Sequence, residues 1–205
     1  MERIMIFNDL GISSHTGTGI WARMFMDHFP LLPVADEGRL HDPVMREHFI
    51  ERIFLYRRWR ELLARGKTPA NLIDFHSRHK LLIMSHSPLI LRELGKLVAS
   101  GRNRDIDELY SSYLALLSVA LDHKATVKKN VNVLHHLMGY FKKQLTHEEK
   151  QELVEIIGEY GSGYLPLVVP VTLINHYVRK FDQPYLKTQY YLNPHPIELM
   201  LRTHV

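Results

Sequence analysis

The sequence predicts a mainly α-helical fold, a multi-helix bundle preceded by a short strand–loop–helix segment. Three observations predict it. Apolar residues recur at helical spacing through most of the 205 residues. Helix-opening signals recur too, at Asp42-Pro43, Thr68-Pro69, Ser87-Pro88 and Thr146-His147-Glu148-Glu149. Strand-like alternation is confined to residues 3–7.

Taken in order, Ile4 and Ile6 alternate with Arg3 and Met5, and a loop follows from Gly11 through SSHTGTG. One strand cannot satisfy its own edges, so a partner is expected later in the chain or on another molecule. GIWARMFMDH (19–28) reads as a short helix and PLLPVADEGRL (30–40) as a loop pinned by Pro30 and Pro33. Asp42-Pro43 opens a helix to about Ala64, ended by Arg65-Gly66. Its second half interleaves Tyr56 and Trp59 with Arg52, Arg57, Arg58 and Arg60. Such aromatics stack on bases or pack at a helix junction, and packing is the favoured reading. Thr68-Pro69 starts the next helix, which contains FHSRHKLLIMSHSP (75–88) with His76, His79 and Lys80 on one face. Ser87-Pro88 caps LILRELGKLVAS, and Gly101 terminates it. Asp105 begins a helix to about His123 that buries Leu109, Tyr113, Leu116, Leu117 and Ala120.

Residues 124–143, KATVKKNVNVLHHLMGYFKK, read as one long two-faced helix. Val127, Val131, Leu134, Leu137, Met138 and Phe141 share the core side. Lys124, Lys128, Asn132, His135, His136, Gly139, Lys142 and Lys143 share the other, which contains no carboxylate, whereas a solvated face normally mixes signs. From Lys128 to Lys143 the strip would run about 22 Å, the span of several backbone phosphates. The next helix opens on the Thr146 capping box and ends near Tyr160. GSGYLPLVVP (161–170) is an apolar loop. Pro170 opens a helix to about Asp182, and the tail wraps the bundle in short turns.

Composition narrows the function. The chain has no cysteine, which excludes disulfides, thiolate metal sites, cysteine nucleophiles and thiolate-held iron–sulfur clusters within it. No apolar run suits a membrane span and no secretory signal opens the sequence, so the expected location is the cytoplasm. Residues 1–51 hold 4 Lys and Arg against 8 Asp and Glu, residues 52–143 hold 17 against 7, and residues 144–205 hold 5 against 7. A basic middle between acidic ends is the footprint of a polyanion-binding surface; a lysine-rich solvated surface is the plainer alternative. The best metal-like set is His76, His79 and His86 with His135 or His136. It lacks an HExxH pattern, and Arg78 and Lys80 would repel a dication, so no metal or other cofactor is expected. No Walker loop or GxSxG elbow occurs, and nothing identifies a nucleophile. Structural roles are expected for His123 and His176, and hydrogen bonding to phosphate or base for His76, His79 and His136.

Two resemblances enter here. From residue 72 to 202 the chain resembles the YbgA-like family, long regarded as a domain of unknown function. FHSRHKLLIMSHSP, LGKLVA (94–99), VNVLHHLMGYFKK (131–143), PLVVPVTLINHY (166–177) and YLKTQYYLNPHPIELMLR (185–202) carry it. One departure is Gly161, where that family usually has arginine. Residues 1–60, through GTGIWARMFMDHFPLLPVADEGRLHDPVMREHFIERIF, resemble the C-terminal part of thiouracil-desulfidase-like proteins, which are often fused upstream of a YbgA-like domain. The catalytic part of those proteins holds a [4Fe–4S] cluster on three cysteines. The fused proteins remove sulfur from 4-thiouridine in tRNA, with the YbgA-like part implicated in tRNA recognition.

The resemblance implies a short strand–loop–helix remnant of a desulfidase-like α/β domain over residues 1–60, without the cysteines, joined to a YbgA-like all-helical domain over 61–205. The expected function is RNA binding, of tRNA above all, and the reading leans away from catalysis by this chain alone. The expected RNA-binding residues are Arg78, His79, Lys80, Lys128, Lys129, Asn132, His136, Tyr140, Lys142 and Lys143. The rival readings are half of a split desulfidase completed by a cysteine-bearing partner chain, a stand-alone histidine-dependent enzyme, and a product with no retained function. The edge at residues 3–7 also leaves room for a homodimer.

Overall fold

Local capping chemistry sets most helix boundaries. In a computed structural model, which describes residues 6–7, 13–14, 19–196 and 201–203, Asp42 accepts hydrogen bonds from the amides of Val44 and Met45 and opens α3 (Pro43–Ala64). Thr68 does the same for α4 (Pro69–His86), and Ser87 both ends α4 and caps α5 (Pro88–Ala99). Asp105 caps α6 (Ile106–Asp122), Thr126 caps α7 (Val127–Met138), and the Thr146–Glu149 capping box opens α8 (His147–Gly161). Each cap satisfies backbone amides that the first turn leaves without partners. Two further helices, α9 (Val168–Lys180) and the one-turn α10 (Pro184–Lys187), finish the bundle. Upstream lie α1 (Ile20–His28) and the one-turn α2 (Glu37–Leu40). The sequence reading takes the α2 region as loop; Asp36 caps it by accepting from the Arg39 amide.

Helices α4, α5 and α6 pack on one another, and α7 lies against α4, α8 and α9. The core runs through all of them. Trp59 of α3 is its centre: it is 1 % exposed, parallel to Tyr113 with centroids 5.7 Å apart, and edge-on to Phe75 at 5.3 Å. Trp59 is therefore packing, as the arginine-interleaved pattern favoured. Among the described residues no helix is long and apolar enough to cross a membrane.

Ile6–Phe7 pairs antiparallel with Ser13–Ser14, a partner later in the chain; residues 3–5 lie outside the described residues. Helix α3 runs through residue 60 without a break and sends Leu55, Tyr56, Trp59 and Leu62 into the shared core. One expectation is corrected: residues 124–143 are not one helix. Thr126 caps α7, so Lys124 precedes it, and at Gly139 the chain tightens into a 3-10 turn over Gly139–Phe141. The α-helix is thus 12 residues, about 18 Å long.

Candidate functional site

The buried side of α7 is rotated from the expected one. Asn130, Val133, Leu134 and Leu137 are buried, whereas Val127 is 46 % exposed. The reason is that α7 is held by neighbours on most of its circumference. What it leaves to solvent is a strip roughly 100° wide carrying Lys128, Asn132, His135, His136 and Gly139. Tyr140, Lys142 and Lys143 extend the exposed surface past the helix. No Asp or Glu occurs between residues 123 and 147. Among the described residues, Lys128, Lys142 and Lys143 are in no ion pair. Gly139 has nothing within 4 Å of where a Cβ would stand, so neighbouring protein does not demand a glycine there.

The strip ends on aromatic rings. Tyr140 stacks on Tyr185 of α10 with centroids 5.6 Å apart and planes 24° from parallel, and the His136 ring meets Tyr140 edge-on at 5.7 Å. Burial, and then Tyr140, push the Tyr185 hydroxyl up to about 12, so it is a neutral ring.

The other expected residues stand differently. The Lys129 ammonium turns inward and donates to the carbonyls of His86 at 2.6 Å and Lys124 at 2.8 Å. It serves the C-terminal end of α4. Arg78 is held by Asp74 through contacts of 2.8 and 2.9 Å, and Lys80 is half-buried. His79 is not a surface ligand: it is 1 % exposed. Its ring lies between Phe75 at 4.0 Å and Tyr190 at 4.5 Å, and its Nδ1 donates to the Phe75 carbonyl at 2.7 Å. The tail causes this burial. The Tyr190 amide donates to the Arg78 carbonyl and the Gln189 side chain to the Ser77 carbonyl, laying the tail over that face of α4. Burial lowers His79 to about 3 and, with Lys80, His76 to about 4, so both are neutral. His76 Nδ1 meets the Tyr113 hydroxyl at 3.0 Å. Among the described residues no three metal-ligating side chains converge.

A second constellation was not foreseen. Helix α3 turns Glu47 and Glu51 inward, one turn apart, and Arg202 returns from the far end of the sequence to meet both. Its Nε donates to Glu47 Oε1 at 2.7 Å, its Nη2 to Glu51 Oε1 at 2.8 Å and its Nη1 to the Tyr191 carbonyl at 2.7 Å. Arg202 is 5 % exposed, with φ of 71°, a left-handed backbone that few residues other than glycine adopt. His86 joins from α4: Nδ1 donates to the His123 carbonyl at 2.7 Å, and Nε2 lies 3.4 Å from Glu51 Oε2, long for a hydrogen bond.

Burial opposes every charge in this cluster, and the local partners decide which survive. For Glu51, burial is overcome by His86 and Arg202, which hold its pKa well below the usual carboxylate range. For Glu47, burial and then the Glu51 charge prevail over Arg202, and the pKa rises. For Arg202, the two carboxylates outweigh burial and keep it charged.

Glu47 and Glu51 also face a cavity of about 510 Å³. His48 adds to the α3 wall, Val127 and Asn130 of α7 form another with Lys124 just before that helix, and Tyr160 and Leu165 complete the lining. Asn130 Oδ1 accepts from the Tyr191 hydroxyl at 3.1 Å, and burial raises the pKa of the Tyr160 hydroxyl. His48 Nε2 donates to the Leu121 carbonyl at 2.7 Å; burial, then His86, lower its pKa. The sequence held one signal for this site: Glu47 and Glu51 lie on the face of α3 that continues as Leu55 and Leu62. Arg202, Tyr185 and Tyr191 gave no local signal.

A family model described as a protein of unknown function (DUF1722) matches residues 80–196. A protein of Escherichia coli (strain K12), described as uncharacterized protein YbgA, is 34 % identical over 152 residues, covering 74 % of this chain and 90 % of that protein. No solved structure matches. Glu47, Glu51 and Arg202 lie outside the span matched by the family model. At Gly161 a Cβ would come within 3.3 Å of Val131 Cγ2, so a side chain there needs the Val131 side chain to give by a few tenths of an ångström.

Proposed function

The chain belongs to the DUF1722 family, and from that premise and the surface of α7 we propose that it is an RNA-binding helical module, with tRNA as its intended ligand. One observation carries the reading: Lys128, Asn132, His135, His136, Tyr140, Lys142 and Lys143 are exposed together on and just past one helix, with no carboxylate between them. Lysines spaced along a strip neutralise successive phosphates and release counterions. The Tyr140–Tyr185 pair at its end offers a ring to an unpaired base, and base–aromatic stacking contributes about 1–3 kcal/mol. Lys80 and Arg78 flank this role from α4, whereas His79 and Lys129 support the fold.

Fluorescence anisotropy with labelled tRNA tests it. If Lys124, Lys128, Lys142 and Lys143 each meet one phosphate, affinity falls about 50–150-fold between 50 and 200 mM salt. Lys128→Glu with Lys142→Glu removes two of the four contacts and halves the salt slope. Absence of binding at low salt, or binding indifferent to this double substitution, sinks the proposal.

A second reading, that the N-terminal segment completes a desulfidase-like domain with a cysteine-bearing chain, is favoured by α1. None of its residues is buried, and Ile20, Trp21 and Met24 are 81, 81 and 67 % exposed. Co-expression with such a chain should give a complex that Trp21→Asp disrupts; two chains that elute separately argue against it.

A further inference from the structure

The cavity between α3 and the start of α7 is not used by the surface reading above. Its volume of about 510 Å³ lies within the range of small-molecule sites. Val127 and Leu165 in its walls suit a flat apolar ring, while Glu47, Asn130 and Tyr160 place hydrogen-bonding groups around it. Asn130 is 7 % exposed and anchored by the Tyr191 hydroxyl, so its position is fixed before any ligand arrives. Arg202 pairs with both Glu47 and Glu51 in the wall and offsets their charge, and the carboxyl oxygens there suit a ring that brings N–H donors. Lys124, which is exposed, stands at the rim, and Lys128, one helical turn on, begins the cationic strip. The site is therefore two-sided, with acceptors within and positive charge at the mouth. A nucleotide has the matching polarity, with an N–H-bearing planar base and an anionic phosphate.

We propose that this cavity receives one nucleobase, with Glu47, Asn130 and Tyr160 at its hydrogen-bonding edge and Lys124 beside its phosphate. The base arrives on a free nucleotide or is turned out of an RNA strand lying along α7, and only the second source rests on the RNA-binding reading. Turning a base out of a strand costs a few kcal/mol of stacking, least for one already unpaired.

The test uses the full chain and two kinds of probe. Nucleoside 5′-monophosphates of the four bases are titrated to millimolar concentration while amide resonances are followed by NMR, and a labelled single-stranded RNA is followed by anisotropy. Val127→Trp fills the cavity from an already exposed position, so folding is preserved; Glu47→Gln is the second variant, read only if its thermal unfolding matches wild type. At least one monophosphate is expected to shift Val127 and Asn130, and Val127→Trp to abolish that shift. Shifts from RNA alone, with RNA affinity reduced about tenfold by Val127→Trp at unchanged salt slope, assign the strand as the source. Monophosphate binding without RNA binding keeps the cavity site and removes the surface reading. RNA binding indifferent to Val127→Trp, with no monophosphate shift at the cavity, overturns this proposal and leaves the surface reading standing.

Discussion

Replacing Arg202 by methionine removes the cation and keeps most of the side-chain volume. Glu51, 4 % exposed, then loses its 2.8 Å contact, Glu47 loses its 2.7 Å contact, and the Tyr191 carbonyl loses a donor at 2.7 Å. Removing one partner of a buried ion pair costs about 3–5 kcal/mol, because the remaining charge is left in a poorly solvating site. For a chain of this size each kcal/mol moves the midpoint by about 2–4 °C, so Tm should fall by about 6–20 °C. Urea unfolding followed by circular dichroism, paired with a thermal scan, measures both quantities. Adding Glu51→Gln to Arg202→Met should recover part of the loss, since an amide needs no countercharge, and the shortfall from additivity measures the coupling. A loss under about 1 kcal/mol, the level of an exposed pair, would refute the claim that the cluster is a buried, mutually dependent unit.

Two further outcomes follow from the core. His76 and His79 titrate at about 4 and about 3 in the fold against an ordinary value near 6.5, so the unfolded chain takes up their protons first and stability is lost as pH falls below about 6.5. Glu47, raised to about 7 by burial and then Glu51, acts oppositely, since the fold binds its proton first and gains stability between about pH 7 and 4.5. Two histidines against one carboxyl leave a net loss on acidification, and His79→Phe should reduce it by about 2–3 kcal/mol at pH 4.5, read from urea midpoints across pH. Trp59→Ala should cost about 3–5 kcal/mol of stability while leaving the RNA affinity of the folded fraction unchanged; a selective loss of affinity would mean that Trp59 stacks on RNA rather than on Tyr113.

The helix boundaries were legible because caps are local. Asp42, Thr68, Ser87, Asp105 and Thr146 each satisfy amides two or three residues away, so short stretches of sequence carry the whole cause. The exposed strip of α7 was legible for a similar reason, since a face without carboxylates is visible as a pattern. Its extent was not, because the burial of Asn130 depends on neighbours rather than on propensity. His79 shows the limit most plainly. Its cationic neighbours suggest a ligand-facing surface, and only the tail, more than a hundred residues later, covers that surface. The cluster of Glu47, Glu51 and Arg202 joins residues 155 and 151 positions apart, and no window of sequence contains both sides of such a contact.

That separation has a consequence during synthesis. At about 5–20 residues per second, the ribosome adds Arg202 roughly 8–30 s after Glu51. Through that interval α3 can form its turns, yet burying Glu51 would strand a carboxylate without its cation. The nascent chain is thereby disfavoured from closing this end of the bundle early, and α3 stays accessible to chaperones until the tail has been made. A product that stops short of Arg202 would carry the same open seam permanently, which marks it for proteolysis.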